Sequence, residues 1–205
     1  MVAIRAPLNL LTYAACVLGV TPLYAYLDRP VQLVAPLALV LGVFGERRGR
    51  HLLGRLPATL LSFALFGLYA LRISRDVLVE PVVNILVLLL AIRLLTAKSG
   101  RDYLQIFVLT IFALAGSSLL SLNLLFFPAL VLLVLCVTVG LVLLTFYSTD
   151  PEMTLPRRRL RSLFGVALVL PVGSLLLMLV FFVILPRTQH PMWNFLNPGA
   201  AASSG

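Results

Sequence analysis

The stretch LLFFPALVLLVLCVTVGLVLLTFYSTDPEMTLPRRRLRSLFGVALVLPVGSLLLMLVFFVIL, residues 124–185, decides the fold. Residues 124–147 carry no charge, and neither do residues 162–185; between them, residues 148–161 hold Arg157, Arg158, Arg159 and Arg161. About 20 mostly apolar residues suffice to cross roughly 30 Å of hydrocarbon as a helix. Each run therefore predicts a transmembrane helix, the second with a kink at Pro171 and Gly173. The arginine hinge predicts a loop held on the cytoplasmic side.

Working toward the N-terminus, the same pattern repeats. The uncharged break SLN (121–123) follows an apolar run at 103–120. Lys98, Ser99, Gly100, Arg101 and Asp102 form a tight basic turn after a run at 81–97. A break with cancelling charges, Arg72, Arg75, Asp76 and Glu80, closes the run at 56–71, and the basic hinge ERRGRHLLGR (46–55) precedes it. The run at 31–45 is short for a bilayer, so neighbouring turn residues must complete it or the membrane must thin around it, and Pro36 predicts a kink. The first run, 7–27, ends at Asp28, Arg29 and Pro30. It is too long for the apolar part of a signal peptide and is read as a retained helix. Beyond residue 185 the polar, Pro-rich PRTQHPMWNFLNPGAAASSG reads as a loop or linker, with Trp193 at the height of a membrane interface.

Composition agrees. Hydrophobic residues make up 61% and charged residues 11% of the chain, against about 25% charged in soluble domains. The net charge of +9 is dispersed over short hinges rather than along one face, which excludes nucleic acid as the natural partner. Counting alternate breaks from the N-terminus, Arg5, Arg47, Arg48, Arg50, Arg55, Arg93, Lys98, Arg101 and the four arginines at 157–161 fall on one side. Only Arg29, Arg72, Arg75 and Arg187 fall on the other. Positive charge concentrates in the cytoplasm. The expectation is an all-α, polytopic transmembrane helix bundle of about seven spans, N-terminus cytoplasmic and C-terminus extracytoplasmic. Residues 1–187 form its membrane domain and 188–205 an extracytoplasmic linker.

Few side chains carry chemistry. Arg93 sits inside an apolar run, where a charge costs a few kcal/mol unless it snorkels or pairs. It either reaches the interface, meets Asp102, or contacts anionic headgroups. Asn84, in the same run, reads as a hydrogen-bonding group between helices. Gly116, Ser117 and Ser118, with Gly165, Gly173 and Ser174, offer small surfaces for close helix contact. Arg101, Arg157, Arg158 and Arg159 are read as topology determinants that meet anionic lipid. Cys16 and Cys136 lie in apolar runs and read as small buried hydrophobes. His51 and His190 fall in loops on opposite sides and cannot share a metal. With cysteines in spans and histidines in loops, no nucleophile has a base within reach, and no glycine-rich phosphate loop appears. No catalytic residue, metal site or cofactor is expected.

Two motifs carry a family resemblance. RLLTAKSGRDYLQ, residues 93–105, and VFFVILPRTQHPMW, residues 180–193, resemble signatures of the N-terminal membrane region of bacterial TgpA-type transglutaminase-like proteins, and the order of spans and basic hinges is similar throughout. The resemblance implies a bacterial inner-membrane location and an extracytoplasmic transglutaminase-like domain, with a Cys/His/Asp triad, following the membrane region. No residue here matches that triad. The chain is then expected to anchor and position that domain, with the lipid bilayer and the downstream domain as its partners. The competing expectation is a small-solute or lipid transporter or channel subunit, with Arg93 and Asn84 lining its path.

Overall fold

The computed structural model describes residues 2–48, 54–71, 79–120, 124–150 and 154–184. Among them, seven α-helices form, one for each apolar run. They are α1 (Arg5–Val20), α2 (Arg29–Arg47), α3 (Arg55–Ala70), α4 (Val79–Leu95), α5 (Gly100–Leu120), α6 (Phe126–Thr149) and α7 (Arg157–Ile184). A 3-10 turn, Thr21–Tyr26, continues α1. The described chain is otherwise all-helical, apart from a two-residue antiparallel ladder that pairs Val2–Ala3 (β1) with Thr154–Leu155 (β2). The break at 121–123, the charges Arg72, Arg75 and Asp76, both histidines, the exit at 186–193 and the linker 188–205 lie outside the described residues.

Among the described residues, five segments are long and apolar enough to cross a membrane: Arg5–Tyr26, Arg29–Glu46, Gly100–Leu120, Phe126–Thr149 and Arg158–Phe181. Helices α3 and α4, with 16 and 17 residues, fall outside this set, whereas α1, also 16 residues, is lengthened by its 3-10 turn. At 1.5 Å per residue α3 and α4 reach about 24 and 26 Å, less than a typical hydrocarbon core.

The run at 31–45 is completed by its neighbours. Asp28 is extended and opens α2, and Pro30 falls in the first turn, where a missing N–H is no loss. The helix then continues past Glu46 to Arg47. Pro36, in its interior, cannot donate to the Gln32 carbonyl four residues back. The Tyr24 hydroxyl donates to that carbonyl instead, at 3.1 Å. In lipid, where a freed carbonyl has no water to turn to, such a substitute donor lets an interior proline persist.

Residues 1–168 form one compact unit. Within it α5 packs against α1, α4 and α6, and α4 carries α2 and α3 on its other faces. Tyr103, Phe107 and Leu114 of α5 bury against Leu8 and Ala15 of α1 and Leu133, Val137 and Leu143 of α6. A second cluster joins Val83, Val87 and Leu88 of α4 to Ala113 of α5 and to Leu23, Leu27 and Val31. Because lipid tails are as apolar as leucine, contact between membrane helices rests on close packing, which small residues permit. A Cβ on Gly19 would lie 2.8 Å from the Thr110 carbonyl oxygen, one on Gly42 2.9 Å from that of Leu94, one on Gly116 2.7 Å from Val83 and one on Gly140 2.5 Å from Phe107. By contrast, nothing described lies within 4 Å of such an atom on Gly165 or Gly173. The buried hydroxyls of Thr12, Thr110 and Ser117 donate to carbonyls of their own helices. Cys16 and Cys136 are free thiols.

Residues from Val169 onward form a second unit. Its described part is the apolar remainder of α7, with Val169, Leu170, Met178 and Phe181 exposed and Pro171 inside the helix.

Candidate functional site

Polar side chains gather at the two ends of the first unit. At one end, Lys98 follows α4 and precedes α5, with its side chain 2% exposed. Its ammonium lies 2.6 Å from Glu46 Oε2 and donates to the Tyr13 hydroxyl at 2.6 Å. The Tyr13 hydroxyl in turn donates to Glu46 Oε2 at 3.0 Å. The ammonium also sits 4.2 Å from the centre of the Tyr13 ring. Arg5 approaches the other Glu46 oxygen at 3.5 Å. Three elements distant in sequence, the start and middle of α1, the end of α2 and the α4–α5 turn, thus close on one carboxylate. Burial pulls the Lys98 ammonium below the ordinary lysine value, and Glu46 beside it pulls the other way.

Beside this knot, Arg93 Nη1 lies 3.5 Å from Asp102 Oδ1. The other Asp102 oxygen accepts from the Ser99 backbone N–H at 2.8 Å and from its hydroxyl at 2.6 Å. This is one half of a capping box: the acidic residue three positions on accepts from the Ser99 N–H, while the Ser99 hydroxyl donates to the same carboxylate instead of accepting from the helix. Tyr103 donates to Asn9 Oδ1 of α1, and its ring meets Tyr147 of α6 edge-on, centres 5.6 Å apart.

At the opposite end, Asn84 is buried. Its carbonyl oxygen accepts from the Asp28 backbone N–H at 3.0 Å, and its amide donates to the Glu80 carbonyl at 2.9 Å. The Tyr69 hydroxyl donates to Asp28 Oδ2 at 3.1 Å. The turn into α2 is thereby pinned to α3 and α4. Together with the β1–β2 ladder, these contacts put residues 2–5, 46, 98 and 154–155 at one end of the unit and residues 28, 69 and 84 at the other. Helices α1 to α6 run alternately between them.

Of the residues singled out in the sequence, Arg93 and Asp102 come together, while Asn84 sits apart from them at the far end. Arg101, Arg158 and Arg159 are exposed. Arg157 begins α7, and its side chain lies outside the described set. In the sequence Lys98, Glu46 and Arg5 read only as hinge and topology charges, Tyr13 and Asn9 carry no signal, and nothing points to their meeting. Only the Ser-x-x-Asp spacing of Ser99 and Asp102 offered a local signal. Among the described residues no three His, Cys, Asp or Glu side chains are placed to hold a metal.

Residues 11–205 match the TgpA N-terminal domain. The chain belongs to that family. No curated protein and no solved structure matches it. The segment RLLTAKSGRDYLQ that resembles this family is the one that builds the polar end: Arg93 and Asp102 pair, Ser99 bonds Asp102, Lys98 binds Glu46 and Tyr13, and Tyr103 reaches Asn9. Chemically, the cluster can hold helix ends together. It presents no nucleophile with a base.

Proposed function

We propose that this chain is the membrane-embedded N-terminal domain of a transglutaminase-like protein of the bacterial inner membrane. It forms a multi-pass bundle of about seven spans, residues 1–187, that anchors and positions an extracytoplasmic Cys/His/Asp domain through a linker at 188–205. Membership of the TgpA N-terminal domain family supports the class. The observation that carries the orientation is the β1–β2 ladder, which brings the N-terminus and the start of α7 to one end. With the basic hinges at that end facing the cytoplasm, one crossing by α7 delivers the chain to the outer side. Exposed Arg48, Arg101, Arg158 and Arg159 then meet anionic headgroups. The reading assigns no catalytic residue and no cofactor to this chain. A transporter path lined by Arg93 and Asn84 has less support, since Asn84 bonds Asp28 and Glu80 while Arg93 pairs with Asp102 at the other end.

Reporter fusions test the orientation. Alkaline phosphatase joined after Gly205 should be active and a fluorescent protein folding only in the cytoplasm dark at that site, with the reverse after Asp150. Phosphatase activity confined to the Asp150 fusion would overturn the proposal.

A further inference from the structure

Although α1 and α2 are consecutive, each packs elsewhere, α1 mainly on α5 and α6 and α2 mainly on α4. They are tied together near both ends. At one, the Tyr13 hydroxyl bonds Glu46, and the missing side chain of Gly42 lets α2 close on the Leu94 carbonyl and on Tyr13. At the other, Tyr24 and Gln32 exchange hydrogen bonds between side chain and backbone. Between the ties the helices part over a cavity of about 310 Å³. Cys16 and Val17 of α1 and Pro36 and Leu39 of α2 form its walls, and Leu90 and Ala91 of α4 its floor. The floor is buried, while Val17 and Pro36 on the rim are exposed. The cavity is therefore a window opening sideways from the bundle.

We propose that this window is a binding site for one acyl chain of a membrane phospholipid. The walls and floor are apolar and the opening faces sideways, so its occupant is an apolar chain taken from the surrounding bilayer. Water is not suited, because apolar cavities stay dry. The lining hydroxyls, on Thr21 and Tyr24, lie toward one end and already donate to the Val17 and Gln32 carbonyls. An occupant consequently finds only apolar surface along the walls and floor, with tyrosine, an aromatic that favours the headgroup level, where the chain enters. The headgroup lies at the Tyr24 end and the chain tip points toward Leu94. The site requires only a bilayer around the bundle and does not depend on the downstream domain.

The test is photolabelling of the full chain in phosphatidylethanolamine–phosphatidylglycerol vesicles containing a phosphatidylglycerol with a mid-chain diazirine, followed by peptide mapping. Adducts should concentrate at Cys16, Val17, Leu90 and Ala91 above the level on Leu132 and Val134, which are exposed on α6. Ala91→Trp, which fills the floor, and Ala35→Phe, which narrows the rim, should each reduce the excess to the α6 level. Ala35→Phe carries the test if Ala91→Trp does not fold, and its thermal unfolding should match the parent. Equal labelling of the window and α6 in the parent chain, or an excess that persists in folded Ala35→Phe, overturns the proposal.

Discussion

Glu46→Gln should destabilise the bundle more than Lys98→Met, and the two together less than their sum. Lys98 and Glu46 lie 2.6 Å apart with side chains 2% and 12% exposed, which at an effective dielectric of about 20 corresponds to roughly 6 kcal/mol of attraction. Arg5 stands 3.5 Å from Glu46 but is 46% exposed, so in near-aqueous surroundings its attraction is about 1 kcal/mol. Desolvating each buried ion offsets several kcal/mol, so the intact pair adds little net stability. Removing one partner is different. In Glu46→Gln the buried ammonium keeps its Tyr13 hydroxyl but loses its counter-charge, and the expected loss is about 3–5 kcal/mol. In Lys98→Met the carboxylate keeps the Tyr13 hydroxyl and the nearby Arg5 charge, so the loss is about 1–3 kcal/mol. The double variant removes both charges and should show a coupling of about 2 kcal/mol, within the range for residues in direct contact. Reversible unfolding in mixed micelles with increasing sodium dodecyl sulfate, followed by helical circular dichroism, reads all three. Additive losses, or a larger loss for Lys98→Met, would refute the placement of Lys98 as the principal counter-charge of Glu46.

Gly42→Ala should lower the unfolding midpoint, by about 1–3 kcal/mol, because its methyl meets the Leu94 backbone carbonyl at 2.9 Å and a backbone does not yield as a side chain does. Gly67→Ala, in open space within α3, should instead stabilise by up to about 1 kcal/mol; a thermal series in detergent that gave both changes the same sign would contradict the close approach of α2 and α4. Ser99→Ala removes the hydroxyl's bond to Asp102 but keeps the N–H bond, and should cost about 1 kcal/mol, whereas Asp102→Ala removes both and strips Arg93 of its partner and should cost more; equal midpoints for the two would count against the dual role of Asp102. Asn84→Leu, which severs the link to the Asp28 N–H, should cost about 0.6–2 kcal/mol and speed hydrogen exchange at that amide, and unchanged exchange there would remove Asn84 as the pin.

The helices were legible in the sequence because apolar runs of membrane length leave few alternatives, and each run became one helix. The pairing of Arg93 with Asp102 was legible for a local reason, since a turn of few residues separates them. The knot itself was not. Lys98 and Glu46 are 52 positions apart, Tyr13 and Lys98 85, and Asp28 and Asn84 56, and no periodicity in one helix says which distant helix end it will meet. How the second run is completed was hidden for the same reason. Reading Glu46 as the first residue of a basic hinge shortens α2, because a charge is taken as the point where the membrane ends; in the fold its carboxylate is neutralised by Lys98 and continues the helix. That pairing also alters the charge tally. A count of lysines and arginines treats Lys98 as one more positive charge for the cytoplasmic surface, yet it is covered by protein and held by Glu46. The folded surface at that end is carried by arginines, of which Arg48, Arg101, Arg158 and Arg159 are exposed, and an argument from headgroup attraction must rest on those. A motif that looks like a plain basic turn therefore divides into two physical roles, with Lys98 facing inward to join helices and Arg101 left exposed.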